Sequence, residues 1–157
     1  MSRTSFGGRS LGEALDVMQA MIEDKDCLVV MTLSGAMTVA KMGKIICKMI
    51  DEGWVNAVVS TGALMAHGFI ESIGLKHYKY EFGRMDDAAL YDKGYNRVYD
   101  TLEPEKNFVQ ADEVMREVLR GLSGERYLWS QKLCQAVGRH LSEKYPGKGI
   151  LKSAFEA

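Results

Sequence analysis

The sequence predicts an α/β fold, a parallel sheet flanked by helices, and three observations carry that expectation. Two short runs, Cys27–Leu33 and Trp54–Val59, are continuous apolar stretches rich in β-branched residues, the pattern of strands buried on both faces. Each ends in a turn of small residues, Ser34-Gly35-Ala36 and Ser60-Thr61-Gly62-Ala63. Each turn then opens a segment whose apolar residues recur at helical spacing. This order contains a βαβ unit, so the crossover is expected to be right-handed and the two strands parallel.

Before the first strand, Ser10-Leu11-Gly12-Glu13 has the form of a capping box, and Leu11, Leu15, Met18 and Ile22 follow on one helical face. Asp24-Lys25-Asp26 closes that helix. Between the strands, Met37 to Ile50 places Val39, Met42, Ile45, Ile46, Met49 and Ile50 opposite Lys41, Lys44 and Lys48, and Gly53 is positioned to stop the helix. After the second strand, Leu64 to Ile73 is helical in pattern as far as Gly74.

From Leu75 to Phe108 the texture changes to aromatic and charged residues with weak periodicity, and a long stretch without strong elements is expected to be functional or partner-facing. Two helices follow, Val109 to Leu122 and Glu125 to Lys144. Tyr145-Pro146-Gly147-Lys148-Gly149 closes the second, and Ile150 to Ala157 starts a new element. Two evident strands make a thin core. The sheet is therefore expected to be incomplete within this chain, completed by less obvious strands, by another polypeptide or by another copy.

Composition narrows the function classes. The 157 residues carry 20 basic and 21 acidic side chains, which suits one domain and offers no broad electrostatic reason to bind nucleic acid. No apolar run approaches the roughly 20 residues of a membrane-spanning helix, and the N-terminus lacks a secretory pattern, so a cytoplasmic protein with no membrane partner is expected. Cys27, Cys47 and Cys134 are too scattered for a disulfide framework or a CxxC zinc site and are expected to be buried thiols.

Both small-residue turns lie just past the carboxyl end of an expected parallel strand, where ligands of open α/β sheets bind to unpaired helix amides. Ser34, Gly35, Ala36, Thr61, Gly62 and Ala63 are therefore candidate ligand contacts, although strand-to-helix connections also need small residues simply as caps. His67 falls about one turn into the second helix and is either a contact for the same ligand or a solvated or core-packed histidine. His77 and His140 have no partner at metal-ligand spacing, and no metal site is expected. Asp86-Asp87 is either a cation or polyamine contact or a helix start, and Asn96-Arg97 either a recognition element or a loop brace. No catalytic nucleophile is identifiable.

Several segments together resemble the deoxyhypusine synthase family, in particular its archaeal and bacterial deoxyhypusine synthase-like branch. They are Met31-Thr32-Leu33-Ser34-Gly35-Ala36-Met37, Val58-Val59-Ser60-Thr61-Gly62-Ala63, His77-Tyr78, Asp86-Asp87, Gly94-Tyr95-Asn96-Arg97-Val98-Tyr99-Asp100 and Glu103-x-Glu105-x-Asn107-Phe108. The resemblance runs from about Phe6 to the end of the chain, in the family's order and spacing. It implies a Rossmann-like fold that binds NAD, usually in a homotetramer with active sites between paired subunits. It implies oxidation of spermidine, transfer of its aminobutyl group to an enzyme lysine as an imine, and delivery to a lysine of the hypusine-bearing translation factor. Relatives make homospermidine or other polyamine conjugates.

By that likeness Ser34-Gly35-Ala36 and Thr61-Gly62-Ala63 are NAD-contacting turns, and His67 is a substrate contact. Two departures stand out. Ala66-His67 replaces the acidic pair that holds the polyamine in the eukaryotic enzymes, and family members are roughly twice this length. Residues 1–157 then read as the N-terminal half, and the Trp-Gly-Lys setting of the nucleophilic lysine is absent. The resemblance thus implies a complementary C-terminal half as partner, in an assembly expected to be tetrameric or larger. A split gene, a cleaved chain and a truncated chain each account for it. A non-catalytic half that regulates a full-length synthase is the competing reading.

Overall fold

The computed structural model describes residues 1–157. Seven helices surround two small sheets. The helices are α1 (Gly7–Glu23), α2 (Gly43–Asp51), α3 (Leu64–His67), α4 (Asp87–Asp92), α5 (Glu105–Gly121), α6 (Ser130–Lys144) and α7 (Ile150–Glu156). The strands are β1 (Val30–Leu33), β2 (Ala57–Ser60), β3 (Tyr78–Lys79), β4 (Tyr95–Val98) and β5 (Thr101–Pro104).

β1 and β2 pair in parallel from Val30↔Ala57 to Leu33↔Ser60, as the βαβ reading requires. Their inner side chains Met31, Leu33 and Val58 pack on the core. Their outer face is uncovered: Val30 is 46% exposed and Val59 58%. The expectation of strands buried on both faces is thus corrected, because nothing in this chain supplies the second covering layer. The incomplete α/β sheet anticipated from the sequence is what the structure contains.

The core lies on one side of β1 and β2. Ile46, Cys47 and Ile50 of α2, Val137 and Leu141 of α6, and Ile150 and Leu151 of α7 interlock there with Phe69, Ile70 and the α5 residues Ala111, Val114 and Val118. α6 and α7 approach so closely that a Cβ on Gly138 would stand 2.4 Å from the Leu151 carbonyl oxygen. Gly53 does stop α2. It adopts φ 71, with its N–H on the Ile50 carbonyl and that of Trp54 on the Met49 carbonyl, the paired bonds of a Schellman cap.

Several boundaries differ from expectation. α1 begins at Gly7, so Ser10 lies inside the helix and the predicted capping box does not form; the cap position is Phe6. The segment after β1 is not one helix. Gly35–Met37 forms a single 3-10 turn capped by Ser34, the chain breaks at Lys41 with φ 64, and α2 begins only at Gly43. α3 is a single turn followed by irregular backbone to Gly74, α5 starts earlier than predicted and α6 later.

The largest difference lies in residues 75–108. They form a three-stranded antiparallel sheet ordered β3-β5-β4, with α4 beside β4. β4 and β5 meet from Tyr95↔Pro104 to Val98↔Thr101 around a two-residue turn, Tyr99-Asp100, in which Tyr99 takes φ 52. This second sheet delivers Glu103 from β5 to the side of α3. No helix is long and apolar enough to cross a membrane.

Candidate functional site

The two small-residue turns come together at the carboxyl ends of β1 and β2. The Gly35 N–H donates to the Thr61 hydroxyl at 3.0 Å. A Cβ on Gly35 would stand 2.3 Å from the Leu64 nitrogen, so only glycine permits this approach. Ser34 Oγ accepts from the Ala36 N–H at 3.3 Å, and Thr38 Oγ1 donates to the Gly35 carbonyl at 2.7 Å. The amides of Gly35 and Ala36 are thus engaged within the chain, which is the capping role that the sequence also allowed.

The second turn differs. The Gly62 and Ala63 amides have no partner among the chain's hydrogen bonds, and a Cβ on Gly62 would meet nothing within 4 Å. A cavity of about 370 Å³ adjoins this turn, walled by Val58, Leu64, Met65, Leu133 and Leu151. Ser60 Oγ also lines it and is buried without a partner. An apolar slot with a few polar groups suits one ring of a cofactor, and free amides in the adjoining turn suit an anionic linkage.

His67, at the end of α3, faces a buried polar cluster that sequence reasoning did not find. Its Nδ1 lies 2.5 Å from Oε2 of Glu103, whose side chain is fully buried. On the other side of that carboxylate, Nε2 of the buried His77 is 3.5 Å from Oε1. Lys41 Nζ stands 3.4 Å from His77 Nδ1 and forms an ion pair with Glu71. The ring of Phe108 meets that of His67 edge-on at 5.4 Å. His67 and Glu103 are 36 residues apart, as are Lys41 and His77, so no local spacing could reveal either pair.

The remaining candidates have structural roles. Asp86 caps α4, its carboxylate accepting from the Ala88 N–H, and Asp87 grips Arg97 through two bonds of 2.7 and 2.6 Å. Arg97 also donates to the Tyr99 carbonyl and covers the Tyr80 ring at 4.8 Å, bracing the β4–β5 turn. Its guanidinium holds Asp87 below the usual carboxylate range. Asn96 donates to Glu105. All three cysteines are free; Cys47 is buried while Cys27 and Cys134 are half-buried, and burial pushes the thiols of Cys47 and Cys134 up. His140, against Tyr145 and Glu117, is held below its ordinary value by burial.

Comparison with known proteins gives one consistent answer. The family model for deoxyhypusine synthase matches residues 1–157. A probable deoxyhypusine synthase 2 of Archaeoglobus fulgidus is 32% identical over 157 residues, covering 100% of this chain and 51% of that relative. A probable deoxyhypusine synthase 1 of the same organism is 36% identical, covering 98% and 48%. A deoxyhypusine synthase-like protein of Elusimicrobium minutum is 32% identical, covering 99% and 42%. The chain spans about half the length of the curated relatives it matches.

Proposed function

The chain belongs to the deoxyhypusine synthase family, and from that premise we propose that it is the NAD-contacting half of a deoxyhypusine synthase-like aminobutyltransferase. The reaction is transfer of an aminobutyl group from spermidine to a lysine of the hypusine-bearing translation factor. The nucleophilic lysine belongs to a complementary half, which assembles with this chain into a tetramer or larger oligomer. The observation that carries the reading is the convergence of the two turns: Gly35 and Thr61 bind one another, and Ser60, Thr61 and Gly62 line one cavity, with Ser60 Oγ buried there without a partner.

Ser34, Gly35 and Ala36 shape the floor of the cofactor site, and Thr61, Gly62 and Ala63 are its direct contacts. NAD held there supplies a hydride acceptor for the carbon next to the amine that is oxidised. The residues of this chain orient and exclude water. Thr61 fixes the distance between the turns, the Gly62 and Ala63 amides bind the anionic linkage, and the apolar wall of Leu64, Met65 and Leu151 keeps solvent from a ring lying against it. His67, three residues beyond Leu64, is the substrate-side contact.

One observation supports a second reading, a homospermidine synthase-like enzyme with a small amine as acceptor. The Ala66-His67 pair offers no free carboxylate to an ammonium group, because the nearest one, Glu103, is fully buried against His67. Native mass spectrometry of the protein from its own source tests the proposal. A second chain of comparable mass with bound NAD is the expected result. Chain-only species without NAD reject it. Spermidine turnover by that complex, with the translation factor or with a diamine as acceptor, then separates the two readings.

A further inference from the structure

We infer that His67, His77 and Glu103 form a binding site for one divalent cation of the zinc class. The inference stands on the geometry of these side chains and does not depend on the NAD reading. Three elements distant in sequence bring the three side chains together: α3, the residue preceding β3, and β5. One ligand atom from each of the three lies within 4.8 Å of the other two. Two imidazoles and a carboxylate are a donor set that borderline divalent cations favour.

The second, independent observation is what the cluster leaves unsatisfied. His77 Nε2 and Glu103 Oε1 are both buried, both without a hydrogen-bond partner, and lie 3.5 Å from one another. Such groups are costly to bury unpaired, and while Glu103 Oε2 meets His67 Nδ1, Oε1 and His77 Nε2 have no such partner. Lys41 does not satisfy either, since its ammonium group faces Nδ1 of the His77 ring and pairs with Glu71. A cation between Nε2 and the carboxylate satisfies both orphans at once.

The distances fit a small tetrahedral ion. Bonds near 2.0–2.1 Å put neighbouring ligand atoms about 3.3 Å apart. The gap between His77 Nε2 and Glu103 Oε1 is already 3.5 Å, and the 2.5 Å contact between His67 Nδ1 and Glu103 Oε2 reaches that spacing by opening about an ångström. With the ion on Nε2, His77 Nδ1 is the outer nitrogen, faced by Lys41 Nζ at 3.4 Å and Glu71 Oε1 at 3.9 Å. Phe108 fixes the plane of the His67 ring. His67 is 20% exposed, so the cluster is reached from solvent on the His67 side.

The test uses the tag-free full chain dialysed to equilibrium against Zn(II), with bound metal counted by inductively coupled plasma mass spectrometry. Co(II) in place of zinc reports the ligand field by visible absorption. One ion per chain is expected, with affinity lowered at least tenfold in each of His67→Ala, His77→Gln and Glu103→Gln. His67 is partly exposed, so His67→Ala keeps the experiment decisive even where a buried substitution impairs folding. Uptake well below one ion per chain overturns the site and leaves the cluster a hydrogen-bonded triad. Uptake that survives His67→Ala also overturns it, by assigning the metal to other groups such as the thiols.

Discussion

At the scale of single residues, two glycines in neighbouring turns separate folding from ligand contact. Gly35→Ala drives a methyl group into the backbone at Ala63 and Leu64, a contact between main chains that no rotamer change relieves. It is expected to cost about 1–3 kcal/mol in urea denaturation, the usual penalty of overpacking. Gly62→Ala faces open space and has no positive φ, so its stability should stay within about 0.5 kcal/mol of the parent. On the proposed reading the same methyl group stands where the cofactor approaches, and NAD binding by the assembled complex should weaken severalfold. Unchanged NAD affinity in a folded Gly62→Ala complex counts against the role given to this turn.

His140 gives a prediction in pH. Burial holds its folded-state value below the ordinary 6.5, with Lys144 acting in the same direction and Glu117 opposing. Above 6.5 the ring is neutral in both folded and unfolded chains. As pH falls through 6.5 the unfolded chain binds a proton that the folded one resists, so this residue's contribution to stability is lost on acidification. Denaturation midpoints of the parent and His140→Gln, measured from pH 8 to pH 5, should therefore converge toward acid if the parent starts ahead. Parallel curves sink the argument. Asp51 acts at lower pH: the hydrogen bond from Lys148 depresses its value, so its contribution persists above about 3.8 and disappears below.

At the scale of elements, α1 stands apart from the rest. It is 17 residues long, only Gly12 is buried, and Leu11, Leu15 and Val17 of its apolar positions are exposed. An isolated helix of that length is marginal in water, because nucleation costs more than a few turns return. Hydrogen exchange should show the amides of α1 opening orders of magnitude faster than those around Val137 and Leu141 of α6, which are fully buried. Comparable protection in the two helices would mean that α1 has a packing partner.

What the sequence disclosed follows from the same physics. β1 and β2 were legible because each is a continuous apolar run between breakers, and the parallel pairing follows from the helix between them. The antiparallel sheet was not, because β3 holds two residues and β4 and β5 four each, too few to display an alternation. Lys41 hid the break before α2, since its spacing suits a helix while its left-handed backbone does not. The turns of the candidate site were legible as small residues at strand ends. Glu103 was not, for its burial depends on His67 and His77, which reach it from other elements.

At the scale of the whole molecule, the uncovered face of β1 and β2 is the feature that calls for a partner. Parallel strands are ordinarily covered on both faces, yet here Val30 and Val59 point outward and Leu28, just ahead of β1, is 71% exposed. The sheet has only two strands, so both of its edges also offer unpaired backbone groups. On the proposed reading, this uncovered face is the surface that a complementary half should occupy. Val59→Lys separates this idea from a defect in folding. The side chain is already exposed in the isolated chain, so its thermal midpoint should hardly move. In a complex with a complementary half the ammonium group becomes buried without a counter-charge, and the dissociation constant measured by analytical ultracentrifugation should rise at least tenfold. An unaltered dissociation constant would place the partner elsewhere, with the exposed faces of α1 next in line.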